Sequence, residues 1–238
     1  MAQRVAVVDL GSNTTRLLVA DVEGGEITEI ERLTEITRLA QGVDATGRLD
    51  ETAMQRVLST LARYREIIDA NGVQRTAAMA TSAVRDASNG PDFVRTVKEQ
   101  HGIEARILTG DQEARLTFRG ATPPSPEASG KTLVIDIGGG STEFVVGTAG
   151  REPEFFVSTQ AGSVRQTERH LTDDPPGAHQ IADLALEVQL IVEEAVPENV
   201  LRSPEGGIAV AGTATTLAAI DQDLDPYDSD RVDRKSVV

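Results

Sequence analysis

The chain has no cysteine. That absence excludes disulfides, thiolate metal sites and a cysteine nucleophile. It has no apolar run near the ~20 residues that span a bilayer, and Met1-Ala2-Gln3-Arg4 leads straight into a strand-like run with no secretory signal. Lysine is scarce, with 3 among the 23 basic residues, which removes few functional options. Positive charge is in deficit overall: 38 acidic residues leave a net charge of −15. A surface of that sign argues against nucleic-acid and membrane partners. It leaves room for an anionic small substrate held at a local site. The 238 residues, 39% hydrophobic and 26% charged, are enough for one large or two modest globular domains with a buried core.

Apolar periodicity predicts the elements. Arg4–Leu10, Thr15–Val22 and Glu26–Leu33 read as three strands, with Gly24-Gly25 as a hairpin turn. Residues Asp50 to Asn71 carry Met54, Val57, Leu58, Leu61, Tyr64, Ile67 and Ile68 at helical spacing, with Gly72 as a stop. Strands are expected at Thr76–Ala80 and Ala105–Leu108, and helices at Pro91–Gln100 and Gly110–Gly120. Thr122–Gly130, with three prolines and no periodicity, reads as a linker. Beyond it, strands are expected at Thr132–Ile137, Glu143–Gly147 and Glu154–Thr159, and a long helix at Ala178–Val196. Gly207–Ala211 reads as a buried strand, and Gly212-Thr213-Ala214-Thr215-Thr216 opens a last short helix.

One pattern occurs twice. Val7-Val8-Asp9-Leu10-Gly11-Ser12-Asn13-Thr14-Thr15 and Val134-Ile135-Asp136-Ile137-Gly138-Gly139-Gly140-Ser141-Thr142 share a grammar. Each is a β-branched pair, an aspartate, an aliphatic, a glycine and small residues leading into a second strand, and each opens a three-strand block. The repeat predicts a duplicated α/β fold with a cleft between its halves. Such a turn can cradle an anion on successive backbone N–H groups, because glycine allows close approach. Hydroxyls add donors, and an aspartate at the strand end can hold a divalent cation. Taken singly, either loop reads equally well as a plain hairpin turn.

The two loops resemble the phosphate loops of the actin, hexokinase and heat-shock-chaperone superfamily. Three further segments sharpen the match: Ala80-Thr81-Ser82-Ala83-Val84-Arg85-Asp86, Thr109-Gly110-Asp111-Gln112-Glu113-Ala114-Arg115-Leu116, and Ala211-Gly212-Thr213-Ala214-Thr215-Thr216. In this order they resemble the exopolyphosphatase/guanosine pentaphosphate phosphohydrolase family in its short actinobacterial form, over residues 4 to about 228. The resemblance implies two actin-like (ribonuclease H-like) domains, 1–123 and 124–232. It implies Mg²⁺-dependent removal of terminal phosphate from inorganic polyphosphate by a cytoplasmic enzyme, and it is compatible with a homodimer.

By the same resemblance Glu113 places the attacking water and Arg85 grips the terminal phosphoryl group. Gly11, Ser12, Asn13, Thr14, Gly138, Gly139, Gly140, Ser141 and Thr142 hold phosphates, and Asp9, Asp136 and Glu143 hold magnesium. Gln112 departs from the family's pair of adjacent glutamates, but the catalytic position is the second of the pair. Read without the family, Glu113 is a helix N-terminal carboxylate complementing the macrodipole, and Arg85 is a surface arginine. The residue types suit phosphoanhydride hydrolysis, which needs charge neutralisation and water placement more than covalent help. Guanosine pentaphosphate as substrate, an ATP-dependent kinase or ATPase, and a non-catalytic polyphosphate-binding regulator are the alternatives.

Other candidates read as structural. His101, His170 and His179 lack mutual metal-ligand spacing and read as surface residues. Asp173-Asp174-Pro175-Pro176 reads as a turn, and Phe155-Phe156 as core. The aspartates from Asp221 to Asp230 lack the glycine and terminal glutamate of a calcium loop and read as a solvated segment. Finally, Asp233-Arg234-Lys235-Ser236-Val237-Val238 matches the in-frame translation of a common sequencing adapter. The expectation is that the natural sequence runs to about Val232 and that the second domain lacks its closing elements.

Overall fold

A computed structural model describes residues 2–122 and 130–232. Most of the expected linker and the C-terminal hexapeptide lie outside the described residues. The chain divides into two compact units, Met1–Thr109 and Gly110–Val238.

The first unit is built on a five-stranded sheet. β1 (Gln3–Leu10), β2 (Thr14–Glu23) and β3 (Glu26–Ile36) form an antiparallel meander. β4 (Arg75–Ala80) pairs parallel to β1, and β5 (Ala105–Ile107) parallel to β4, giving the order β3-β2-β1-β4-β5. Parallel pairing needs crossovers, and helices supply them. Between β3 and β4 come α1 (Val43–Thr46) and α2 (Glu51–Ala70); between β4 and β5 come α3 (Ser82–Asp86) and α4 (Gly90–His101).

Alternation along β1 buries Ala6, Val8 and Leu10. They pack with Leu17 and Val19 of β2, with Val57, Leu61, Tyr64 and Ile68 of α2, and with Phe93 and Val97 of α4. The α2 residues recur at three- and four-residue spacing, which places them on one helical face. Asp50 starts that helix by accepting the Ala53 amide at 3.1 Å.

The second unit carries a four-stranded sheet, order β8-β7-β6-β9. β6 (Thr132–Ile137), β7 (Thr142–Gly147) and β8 (Phe155–Thr159) repeat the antiparallel meander, and β9 (Gly206–Val210) pairs parallel to β6. Around them lie α5 (Gly110–Ala121), α6 (Ser163–His170), α7 (Ala178–Ala195), α8 (Glu198–Leu201), α9 (Ala211–Asp221) and α10 (Ser229–Val232). The core is small: Ala114 and Phe118 of α5 against Val134 and Val145, flanked by half-buried Phe156 and Val210. Among the described residues no helix is long and apolar enough to cross a membrane.

The structure departs from the sequence reading at several points. The units divide at Thr109/Gly110, not at the expected linker, because α5 lays its apolar face on the second sheet. β9 is exposed rather than buried: among the described residues it is an edge strand, and of its side chains only Val210 packs against the core of the second unit. His101 is half-buried, with Nε2 enclosed and no hydrogen-bond partner. His170 bonds Glu187 at 2.7 Å, and only His179 is fully exposed. Phe155 and Phe156 are half-buried, with the Arg115 guanidinium 4.5 Å over the Phe156 ring.

Candidate functional site

The repeated pattern folds into the same turn in each unit. In the first, the Gly11 amide donates to the Thr14 carbonyl at 3.0 Å; in the second, the Gly138 amide donates to the Ser141 carbonyl at 3.0 Å. Glycine is required by close approach: a Cβ would sit 2.8 Å from the Thr14 oxygen at Gly11 and 3.1 Å from the Ser141 oxygen at Gly138.

The segment after the third strand then fixes each turn by taking its carbonyls. Ala40 donates to the Ser12 oxygen at 2.8 Å, and Thr37 and Arg38 to that of Asn13 at 3.0 and 2.9 Å. In the second unit Ser163 donates to the Gly138 oxygen at 2.9 Å, and Val164 and Arg165 to that of Gly139 at 2.9 and 3.1 Å. Arg165 Nε adds a bond to the Gly140 oxygen at 2.8 Å. Gly162 permits this packing, because a Cβ there would lie 2.2 Å from the Gly140 carbonyl carbon. With their carbonyls so engaged, Gly139 and Gly140 have no backbone acceptor for their amides among the described residues. Successive amides of a glycine-rich turn without backbone acceptors are the kind of donors that can bind an anion.

Within the first unit, the Ser12 hydroxyl bonds the Ser82 hydroxyl at 2.8 Å, tying the turn to α3. Arg85 lies on the same short helix. Its side chain is mostly buried, held by the Leu108 carbonyl at 3.1 Å, with Asp86 3.7 Å from Nε. The expected first-unit residues Asp9, Gly11, Ser12, Asn13, Thr14 and Arg85 therefore lie on β1, its turn, β2 and α3. Ser82 was not anticipated as a link between them.

Within the second unit three carboxylates come together. Asp136, one residue before the end of β6, pairs in register with Glu143, the second residue of β7, which pairs in turn with Ser158 of β8. Glu113 lies on the first turn of α5, close enough for its charge to act on Glu143. Glu143 is 1% exposed. Burial, then the Glu113 and Asp136 charges, push its carboxyl up from 4.5 to about 7, against hydrogen bonds from Ser158 and Ser141 that favour the anion. Thr142 sits beside it, donating to the Ala161 carbonyl at 2.8 Å.

The expected magnesium ligands were Asp9, Asp136 and Glu143. Among the described residues no three acidic or histidine side chains are grouped so as to hold a metal ion on their own. The donor chemistry in the second unit nevertheless suits magnesium. These are hard oxygens, and magnesium is commonly held through one or two carboxylates, with water and substrate phosphates completing its shell. Burial first, and the Glu113 and Asp136 charges second, raise the proton affinity of Glu143, and a divalent cation would oppose the part due to those charges.

Sequence reasoning missed Thr117, Ser158, Gly162 and Arg165. Thr117 donates to Asp136 Oδ2 at 3.0 Å and Ser158 to Glu143 Oε1 at 2.7 Å. A usable signal for Thr117 was its place one helical turn past Glu113. Ser158 could have been found by extending the Asp136–Glu143 row to the third strand.

Comparison with known proteins matches residues 18–236 to the model of the Ppx/GppA phosphatase family. The chain is similar to exopolyphosphatase 2 of Mycobacterium tuberculosis, 38% identical over 235 residues, covering 95% of this chain and 73% of that one. It is also similar to the crystal structure of an exopolyphosphatase from Cytophaga hutchinsonii, with a TM-score of 0.84 and 30% identity, covering 93% and 70% of the two chains. The Ppx/GppA family member of Aquifex aeolicus superposes with a TM-score of 0.75 at 31% identity, covering 97% and 73%.

Proposed function

Because the chain belongs to the Ppx/GppA phosphatase family, we propose that it is an exopolyphosphatase, hydrolysing the terminal phosphoanhydride of inorganic polyphosphate and releasing orthophosphate. The observation that carries this reading is the carboxylate group of Glu113, Asp136 and Glu143 beside the amide-lined Gly138–Ser141 turn. A phosphate chain needs donors for its oxygens, and the turn supplies amides and hydroxyls. The attacking water needs an oriented acceptor, and Glu113 is the carboxylate on the helix edge, half-buried and reachable.

Glu113 accepts a hydrogen bond from the water and directs its lone pair at the terminal phosphorus. Arg85 pairs with the equatorial oxygens of the transferred group, where charge accumulates in a loose transition state. Asp136 and Glu143 in the second unit, and Asp9 in the first, are the residues that would offer carboxylates to magnesium; when bound, the ion would neutralise charge on phosphate oxygens. The Gly11–Thr14 and Gly138–Thr142 turns each offer amides and hydroxyls to phosphate oxygens.

The test is phosphate release from long-chain polyphosphate, guanosine pentaphosphate and ATP, with Mg²⁺ and with EDTA, for the wild type and Glu113→Gln. The expected result is Mg²⁺-dependent release from polyphosphate that falls about 10²–10⁴-fold in the variant. Equal release by both proteins would refute the role of Glu113. Binding of polyphosphate without release by the wild type would make the protein a polyphosphate-binding regulator.

A further inference from the structure

We propose that Thr117 and Ser158 are positioning residues for this reaction, each pinning one carboxylate of the Asp136–Glu143 pair. The inference rests on the exopolyphosphatase reading and extends it to side chains outside the family's motifs.

Two registers meet here. Ser158, Glu143 and Asp136 are successive cross-strand partners, so they form one row across β8, β7 and β6. Gly110, Glu113 and Thr117 are spaced by three and four residues, so they form one stripe along α5. The helix lies along the row and matches it position by position. Gly110 abuts Ser158 so closely that a Cβ on Gly110 would be 2.6 Å from the Ser158 Cβ. Glu113 lies within electrostatic reach of Glu143. Thr117 donates to Asp136.

The hydroxyls at the two ends of this arrangement do the same thing. A carboxylate turns freely about its last torsion unless one oxygen is bound. Ser158 binds Oε1 of Glu143 and Thr117 binds Oδ2 of Asp136, so each carboxylate plane is set. Both hydroxyls favour the ionised carboxylate, which is the form that binds a cation. Without them each carboxylate loses one of the bonds that orient it, Glu143 keeping that from Ser141, and the metal site and the water-orienting geometry loosen together.

The variants Thr117→Val, nearly isosteric, and Ser158→Ala, which keeps the Cβ against Gly110, remove each bond without removing a catalytic residue. Three measurements on the full chain decide the matter: steady-state phosphate release from polyphosphate at saturating Mg²⁺, Mn²⁺ binding to substrate-free protein by electron paramagnetic resonance, and Tm. Each variant should lower kcat about tenfold, the loss expected for one hydrogen bond to a charged group. KM should stay within about twofold, since ground-state binding is untouched. Mn²⁺ binding should weaken several-fold, and Thr117→Ser should restore both readouts.

Unchanged kcat with unchanged Mn²⁺ binding would overturn the proposal, as would a loss that Thr117→Ser fails to repair. A lowered Tm with kcat and KM shifted together would assign a structural role and overturn it equally. If the wild type releases no phosphate, the exopolyphosphatase reading fails. The Mn²⁺ measurement then decides the positioning role alone, supporting it if Thr117→Val weakens binding and Thr117→Ser restores it.

Discussion

Glu143→Gln should make the metal-free protein more stable at neutral and alkaline pH, and by an amount that depends on pH in a defined way. Glu143 is 1% exposed and its carboxyl is pushed up from 4.5 to about 7 by burial and by Glu113 and Asp136. Below its unfolded value the residue is neutral in both folded and unfolded chains and contributes no pH dependence. As pH rises past that value the unfolded chain ionises while the folded one keeps its proton, so the folded state falls behind by about 1.4 kcal/mol per pH unit. The loss ends once the folded carboxyl ionises near pH 7. The whole interval corresponds to about 3 kcal/mol, a large share of the ~5–15 kcal/mol that holds a domain folded.

Glutamine has the shape of the neutral acid and never ionises, so the variant escapes the penalty. Urea unfolding in EDTA, for wild type and variant across the range from about pH 4 to pH 8, should give curves that coincide at the acid end. They should separate through the window set by 4.5 and about 7 and run parallel above it. Excess Mg²⁺ at the alkaline end should restore stability to the wild type and much less to the variant, because a ligand that binds only the folded state adds stability by mass action. A difference that is flat with pH, or one that moves in favour of the wild type over this window, would refute the electrostatic account of the three carboxylates.

Three smaller perturbations test the scaffold. Gly162→Ala puts a Cβ 2.2 Å from the Gly140 carbonyl carbon and 2.5 Å from the Ser141 nitrogen; thermal unfolding should show a loss of about 3 kcal/mol, with phosphate release falling as the turn is pushed out of shape. Tyr64→Phe deletes the bond from a buried hydroxyl to the Thr15 carbonyl at 2.9 Å and should cost about 1–3 kcal/mol in urea unfolding. Since burial pushes that phenol up to about 12, absorbance titration should find no phenolate from Tyr64 at the ordinary value of 10.0. Asp50→Ala removes the cap on the Ala53 amide and should cost about 1 kcal/mol, measured the same way.

Much of this architecture is legible in the chain because local signals agree. The duplicated aspartate–glycine turns were visible as a repeat, and the structure gives them the same hydrogen bond from glycine to the residue three positions on. α2 was legible end to end, since its apolar face, its Asp50 cap and Gly72 point the same way. What escaped depends on distant partners. α6 is short and polar, with mean character set by Arg165, Gln166, Glu168 and Arg169, so no periodicity announces it. Its place is fixed by carbonyls of a turn more than twenty residues earlier. Gly207–Ala211 reads as buried because it is apolar, yet burial is decided by what packs on the faces of a strand, which the run itself does not contain. Glu113 was recognisable only through a family resemblance. Its electrostatic contact with Glu143 arises because α5 packs on the second sheet, a long-range fact that no window of sequence contains.

The two halves also show how one scaffold can yield two kinds of site. Turn, register and supporting segment are shared, yet the residue facing the strand-end aspartate differs. In the first unit Asp9 pairs across the strands with Arg16. In the second Asp136 pairs with Glu143. Opposite charges at such positions stabilise a sheet, and like charges oppose it. The first unit thus sets a basic residue opposite its aspartate, and the second sets two carboxylates opposite each other, with Thr117 and Ser158 hydroxyls donating to them. A fold that places like charges side by side, beside a glycine-rich turn, is destabilised there by their repulsion, and a cation bound between them relieves it. Under the proposed function that cation is magnesium. At this register position the second unit carries a second carboxylate, Glu143, where the first carries Arg16, so a neutralising cation relieves more like-charge repulsion in the second unit than in the first.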